Sequence, residues 1–272
     1  MDKVTKNNQQ KWDQLVRLEV PCSRPFQDIN PKTAKERFNP DNIFGDVKGK
    51  KVLCLASGGR QQSIGFAMMG ALVTVVDFSQ EQLKKDELEA NKHLLTIRIL
   101  QSDMRDLSVL KTDEFDIVYQ PYSINYVPEV QAVFDEVSRV LKPGGIYYLM
   151  FHNPFVQGSW KDAFTGNPWS KEELWHEKGY PITLPYKDGL PITVSDPSWN
   201  FKNSKGKTVK AAAAQEFKHT LSTIINSLIQ RKFSILKFEE FTNDRSNSTP
   251  GTWEHYVSVA APWFYLWVKK IV

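Results

Sequence analysis

KVLCLASGGRQ (51–61), QSIGFAMMGA (62–71) and LVTVVDF (72–78) decide the fold when read in that order. The first opens on a short apolar run and breaks into a Gly-rich turn. The second has helical spacing. The third is a β-branched run that closes on Asp77. Strand, turn, helix and strand in that order predict a βαβ unit with both strands buried. The pattern continues downstream. Ser79 is a good N-cap for QEQLKKDELEANKHL, and TIRIL (96–100) and EFDIVYQ (114–120) read as third and fourth strands. VQAVFDEVSRVL (130–141) reads as a helix stopped by Pro143-Gly144-Gly145, and IYYLMFH (146–152) as a fifth strand. The predicted class is therefore α/β: a doubly wound, Rossmann-like sheet, mostly parallel with an antiparallel edge strand, plus a lid insertion.

The flanks divide by composition. Residues 1–50 form a helical lead-in, with Trp12, Leu15, Val16 and Leu18 on one helix, then four prolines and one short helix around Ala34. Residues 51–152 are the core. Residues 153–210 hold six prolines together with Trp160, Trp169, Trp175 and Trp199, too many aromatics for a linker, so they read as an aromatic-rich lid. Residues 211–272 complete the sheet: a helix over 211–231, then strands at 233–241 and 255–268 joined by a turn-rich segment.

Lys and Arg total 35 and Asp and Glu 31, a formal charge of +4, which is too mild to demand a polyanionic partner. Two cysteines, Cys22 and Cys54, exclude a disulfide scaffold and suit a reducing compartment. MDKVTKNNQQKW has no apolar core, and the apolar run 256–268 is too short to span a bilayer, so a cytoplasmic protein without a membrane partner is expected.

Ligands of doubly wound sheets bind at the carboxyl ends of the strands. After the first strand come Ala56, Ser57, Gly58, Gly59, Arg60 and Gln61, where glycines let a ligand approach the backbone and a helix start offers N–H groups. Asp77 follows Gly59 by eighteen residues, the place for a carboxylate that binds a ribose diol; the alternative job, capping the next helix, already suits Ser79. Asp103 can accept from an exocyclic amine such as that of adenine, beside the apolar Met104, or can simply form a turn. A nicotinamide dehydrogenase would need G-x-G-x-x-G, and S-G-G-R-Q-Q-S-I-G does not match it.

VLCLASGGRQ (52–61), VTVVDFS (73–79), ILQSDMRDL (99–107), FDIVYQPYS (115–123) and VLKPGGIYYLMF (140–151) together resemble the class I S-adenosylmethionine-dependent methyltransferases over roughly residues 50–152. The LASGG form, and a tail containing EFKHTL (216–221), are similar to a bacterial subgroup of the methyltransferase-11 type. The chain departs from the family pattern at Cys54, where an acid is usual, and at Ala56 and Arg60, where glycines are expected. The resemblance implies S-adenosyl-L-methionine as cofactor. Its methionine end would meet the turn at Ala56–Gly59 and Gln61, with Gln120 below it. Its ribose would meet Asp77, and its adenine Phe78, Asp103 and Met104.

Methyl transfer from a sulfonium needs alignment and water exclusion more than acid–base help, which gives the lid a purpose. For an acceptor that must lose a proton, His152 at the end of the fifth strand is the first candidate base and His219 the second, with Tyr122, Asn125 and Tyr126 on the acceptor side. A structural histidine is the equal alternative for each. The five histidines are scattered, so no metal is expected. The expected reaction is transfer of a methyl group to a small-molecule acceptor at O, S, N or C. One alternative is a nucleic-acid base methyltransferase, for which Pro121-Tyr122 and Lys202, Lys205, Lys207 and Lys210 would supply stacking and charge. Another is a non-catalytic S-adenosylmethionine-binding module, with Arg60 blocking the site.

Overall fold

The computed structural model describes residues 2–17, 28–59, 62–157, 180, 182, 184–194, 200–202, 208–210, 214–245 and 247–271. Two helices, α1 (Lys3–Arg17) and α2 (Pro31–Phe38), precede the alternating region. That region runs β1 (Lys51–Leu55), α3 (Gln62–Met68), β2 (Leu72–Asp77), α4 (Gln80–Lys92), β3 (Arg98–Gln101), β4 (Phe115–Gln120), α5 (Gln131–Val140) and β5 (Leu141–His152). The remainder holds β6 (Leu190–Val194), β7 (Asn200–Lys202), β8 (Thr208–Lys210), β9 (Ala214–Lys218), α6 (Leu221–Gln230), β10 (Phe233–Glu240), α7 (Trp253–Ala260) and β11 (Trp263–Lys270).

Seven strands form one sheet in the order β10-β11-β5-β4-β1-β2-β3. The pairs β1–β2, β1–β4, β2–β3 and β4–β5 are parallel, and β11 runs antiparallel to both β5 and β10. The reversed strand thus lies one place in from the edge, flanked on both sides. Val52, Leu53, Cys54 and Leu55 of β1 are completely buried, as a central strand covered on both faces requires. Their side chains alternate between two cores. Leu53 and Leu55 join Phe134 and Val137 of α5 and Ile224 of α6; Val52 and Cys54 join Phe38 of α2, Ile64 and Phe66 of α3, and Leu83 of α4.

The Ser79 cap forms as expected, its hydroxyl accepting from the Gln82 amide. Two other local expectations are corrected. The helix expected over 211–231 is confined to α6, because Ala214–Lys218 pair as a strand with β6, residue for residue from Ala214↔Val194 to Lys218↔Leu190. The strand expected over 255–268 splits into α7 and β11. Thr252 caps α7 by accepting from the His255 amide, and Ala261, at φ +42 and followed by Pro262, ends it. An unbroken apolar run concealed that turn. The four tryptophans of the expected lid lie outside the described residues.

The helix α1 is more than a lead-in: it bridges the end of β2 to β9. Asn8 exchanges two 2.9 Å hydrogen bonds with the Gln215 backbone, Gln9 Nε2 donates to the Phe78 carbonyl at 2.7 Å, and Ser79 Oγ donates to Asp13 at 2.6 Å.

Phe66 is fully buried and its ring meets those of Phe38, Phe44 and Tyr119. Phe66→Ala is expected to lower unfolding free energy by about 3–5 kcal/mol in urea titration. Leu88→Ala, at a position 67% exposed, should change it by less than about 0.5 kcal/mol.

Candidate active site

A cleft of about 680 Å3, open mouth included, lies at the carboxyl ends of β1, β2, β3 and β4, where the strand order reverses around β1. Ala56, Ser57 and Gly58 form one wall, Asp77, Phe78 and Gln82 the next, Ser102, Asp103 and Met104 a third, and Pro121–Ser123 a fourth. Thr5 and Trp12 of α1, with Tyr126 and Val127, close the remaining side. Most of the residues singled out as cofactor ligands therefore meet in one hollow. Arg60 and Gln61 lie outside the described residues.

The glycine turn is held from behind by two buried carboxylates. The Gly58 amide donates to Asp77 Oδ2 at 2.9 Å, and the Gly59 amide donates to Asp86 Oδ2 at 2.6 Å. Asp77 Oδ1 also accepts from the Ser79 amide at 2.8 Å, and Asp86 Oδ1 accepts from the Ser63 hydroxyl. These two glycine amides thus point at protein carboxylates instead of at a ligand. What the turn offers is closeness. A Cβ on Gly58 would sit 2.9 Å from Gln82 Cβ and 3.0 Å from Asp77 Cβ, and Gly59 takes φ +70. Ala56 takes φ +47, the left-handed region that glycine occupies without strain, which is why a glycine is expected there.

Burial dominates the electrostatics. It pushes Asp77 up to about 6 against the Ser79 and Gly58 amide bonds. It pushes Asp86 up to about 7, although the Ser63 and Gly59 bonds favour the charged form; the Asp77 charge adds to the rise. Asp86 and Gln82 carried no sequence signal beyond lying on an amphipathic helix. The signal that was available is spacing: both lie on α4, which begins three residues after Asp77.

The cavity fits an adenosyl group by the chemistry of its donors and acceptors. A carboxylate has about four acceptor sites. Asp77 uses two on backbone amides, which leaves capacity for hydroxyl donors. Gln82 Oε1 is buried without a partner and belongs to a residue lining the cleft. Asp103 is more committed: Arg105 binds Oδ1 through Nε at 3.0 Å and Oδ2 through a terminal nitrogen at 2.6 Å. Arg105 reaches on to Asp2 at 2.7 Å and Thr5 at 2.5 Å, which ties the start of α1 to this corner. Gln120 is fully buried below the cleft; its Nε2 donates to Ser123 Oγ at 3.0 Å and approaches Met104 Sδ at 3.3 Å, and its Oε1 accepts from Tyr147.

Around the far end, the Tyr122 hydroxyl donates to Glu216 Oε2 at 2.7 Å, and Gln157 Nε2 donates to the same oxygen at 3.2 Å. Tyr122 is ringed by Tyr126 and His152, at 5.9 and 6.3 Å between centroids. His152 Nδ1 lies 3.1 Å from the Asn153 carbonyl. A carbonyl only accepts, so Nδ1 carries the proton and Nε2 keeps its lone pair. Burial pulls His152 down to about 4, helped by the charge of Lys218, so the ring is neutral at physiological pH. His219 is placed otherwise. Neither histidine lines the cleft: His152 packs against Tyr122, which does, while His219 is 1% exposed and its Nε2 donates to the Val127 carbonyl at 2.9 Å, bracing the loop after β4 against β9. Asn125 does similar work, donating to the Phe217 carbonyl at 3.0 Å and accepting from the His152 amide at 3.0 Å. Glu216 was missed because EFKHTL reads as part of a helix; in fact Ala214–Lys218 is a strand, and Glu216 is buried on it.

Comparison with known proteins places this geometry in a family. The family described as "Methyltransferase domain" matches residues 53–149. The uncharacterized methyltransferase YbaJ of Bacillus subtilis is 35% identical over 201 residues, which cover 74% of this chain and 72% of that protein. A ubiquinone biosynthesis O-methyltransferase of Pseudomonas syringae is 30% identical over 122 residues; the match covers 45% of this chain and about half, 51%, of that relative. Among solved structures, an S-adenosylmethionine-dependent methyltransferase of Mesorhizobium loti superposes with a TM-score of 0.61 at 20% identity, covering 87% of this chain and 98% of that one. One from Listeria monocytogenes gives 0.60 at 17% identity, covering 89% and 100%. These two share the fold.

Two outcomes are expected. Gly58→Ala places a methyl against Asp77 and Gln82, so affinity for S-adenosylhomocysteine by calorimetry should fall about tenfold or more. Asp86 binds its proton more tightly folded than unfolded between about pH 4 and 7, so its contribution to stability is lost as pH rises through that window. Asp86→Asn removes this loss. The variant should therefore be more stable than the native protein at pH 8 by on the order of 1 kcal/mol in urea titration, with the gap closing near pH 4.

The likeness to a methyltransferase over 74% of this chain, the matched domain and the cleft that fits an adenosyl group agree: this chain belongs to the methyltransferase family and is an S-adenosylmethionine-dependent methyltransferase.

Proposed function

We propose that the protein methylates a small-molecule acceptor, first at oxygen, in the cytoplasm. The observation that carries this reading is the aromatic end of the cleft, where Trp12, Tyr122 and Tyr126 make a pocket wall beside a neutral His152. Relatives named for O-methyl transfer in ubiquinone biosynthesis support oxygen as the first class to try. Among the described residues no helix is long and apolar enough to cross a membrane. Residues 1–50 then serve as a wall of the site, 51–152 as the cofactor core, 153–210 as its cover and 211–272 as the sheet's completion.

S-adenosylmethionine, when bound, supplies a methyl group already activated on sulfur. The chain's task is to hold and align. Asp77 accepts from the ribose hydroxyls, with Phe78 and Met104 offering apolar surface and Asp103 an acceptor to the adenine. Ala56, Ser57, Gly58 and Gly59 would hold the methionine end, with Gln120 below them; Gln61, expected in the same role, lies outside the described residues. Tyr122 donates its own proton to Glu216, so its oxygen is left as a hydrogen-bond acceptor. A histidine held near 4 is a weak base, so His152 Nε2 orients an acceptor O–H by hydrogen bonding more than it removes the proton. His219, committed to Val127, acts through the wall it braces.

The base-methyltransferase reading loses support at Tyr122, whose hydroxyl is tied inward to Glu216; the side chains of the four lysines lie outside the described ones. The blocked-module reading turns on Arg60, also outside them.

A turnover screen with phenol, thiol, amine and carboxylate acceptors tests the proposal. Product is expected with the phenol, and Asp77→Ala should lower its yield at limiting cofactor by weakening S-adenosylhomocysteine binding about tenfold or more. His152→Gln should cut kcat about tenfold while leaving that binding unchanged. Tight S-adenosylhomocysteine binding with no product from any class would favour the non-catalytic module instead.

A further inference from the structure

Gln82 is the third residue of α4, and its backbone amide donates to the Ser79 cap at 3.2 Å, so it stands in the first turn of the helix that follows Asp77. Helix side chains lean toward the helix N-terminus, which for α4 is the side of the β2 carboxyl end. Gln82 accordingly packs against the glycine turn: a Cβ on Gly58 would sit 2.9 Å from Gln82 Cβ, and a Cβ on Gly59 would collide with Gln82 Oε1. The residue is 3% exposed and lines the cleft beside Asp77, yet Oε1 meets no donor among the described residues. A buried acceptor left unpaired is costly, and such groups are rare in folded chains. On the same wall, Asp77 holds a backbone amide on each oxygen, that of Ser79 on Oδ1 and that of Gly58 on Oδ2, which fixes the carboxylate and leaves part of its acceptor capacity free.

We infer that Gln82 is a cofactor-binding residue, and that the ribose diol of the adenosyl group is divided between two acceptors, one hydroxyl on Asp77 and the other on Gln82 Oε1. This rests on the placement of the ribose at Asp77 proposed above and adds the second contact. Both hydroxyls on Asp77 alone would leave the glutamine oxygen unpaired in the complex as well as in the free protein. Sharing the diol satisfies both side chains. The terminal torsion of a glutamine is soft, so the amide turns to meet a hydroxyl without moving the backbone. A deoxynucleoside lacks one donor and strands the acceptor that should have met it, so this wall requires both hydroxyls.

Calorimetry on the full chain compares S-adenosylhomocysteine with its 2′-deoxy and 3′-deoxy analogues. The native protein should bind each analogue about tenfold or more weakly than the parent. Gln82→Met keeps the length of the side chain and removes the amide. It should bind the parent about tenfold more weakly, lose the penalty for one analogue and keep the penalty for the other. A glutamine that only shaped the wall would lower all three affinities alike, so a Gln82→Met protein that keeps both penalties overturns the proposal. So does one that loses both, or one that binds the parent as the native protein does. If the native protein is indifferent to one hydroxyl, the proposal falls and the placement of the ribose at Asp77 survives. Indifference to both hydroxyls, or no binding of the parent, counts against that placement and takes the proposal with it. Circular dichroism checks that each variant is folded, and Gln82→Ala carries the same comparison where Gln82→Met does not fold.

Discussion

Two carboxylates buried beneath one glycine turn set the geometry of this protein. Asp77 and Asp86 take the amides of Gly58 and Gly59 in succession, so the loop between β1 and α3 is fixed by groups from β2 and α4. Both acids are more than nine-tenths buried, and each would be easier to ionise in the unfolded chain. The turn is therefore held at a cost in stability near neutral pH. Together with the left-handed Ala56, it concentrates strain and buried charge where a ligand must come closest.

The second constraint is that the cleft has no complete wall of its own. Strands β1 to β4 supply its floor and one side. The rest comes from α1, more than forty residues upstream, and from the loop after β4, braced by β9 nearly a hundred residues downstream. Arg105 ties Asp103 to the first turn of α1, so the adenine corner and the N-terminal helix share one ion-pair network. The cofactor end is built from a compact run of sequence, whereas the acceptor end is assembled from segments that meet only in the folded chain.

That division accounts for what could be read in advance. Parallel strands buried on both faces must be short apolar runs, so β1, β2, β4 and β5 were visible, as was the Ser79 cap. Local rules failed where a partner decided the outcome. The segment Ala214–Lys218 is helical by spacing and extended because β6 lies beside it. The run at 255–268 is one apolar stretch in sequence and two elements in space, since Ala261 turns the chain between α7 and β11.

The sequence by itself determined the layered α/β class, the order of turn and acids along the strand ends, and the family likeness. Each depends on residues close together in the chain, where propensity and spacing act directly. Only the tertiary structure decided that Asp86 backs the turn, that His219 braces a wall, and that His152 packs against Tyr122. Those facts depend on which distant groups share a low-dielectric space, and burial, which sets the energy of a charge, is a property of the folded chain that no local pattern encodes.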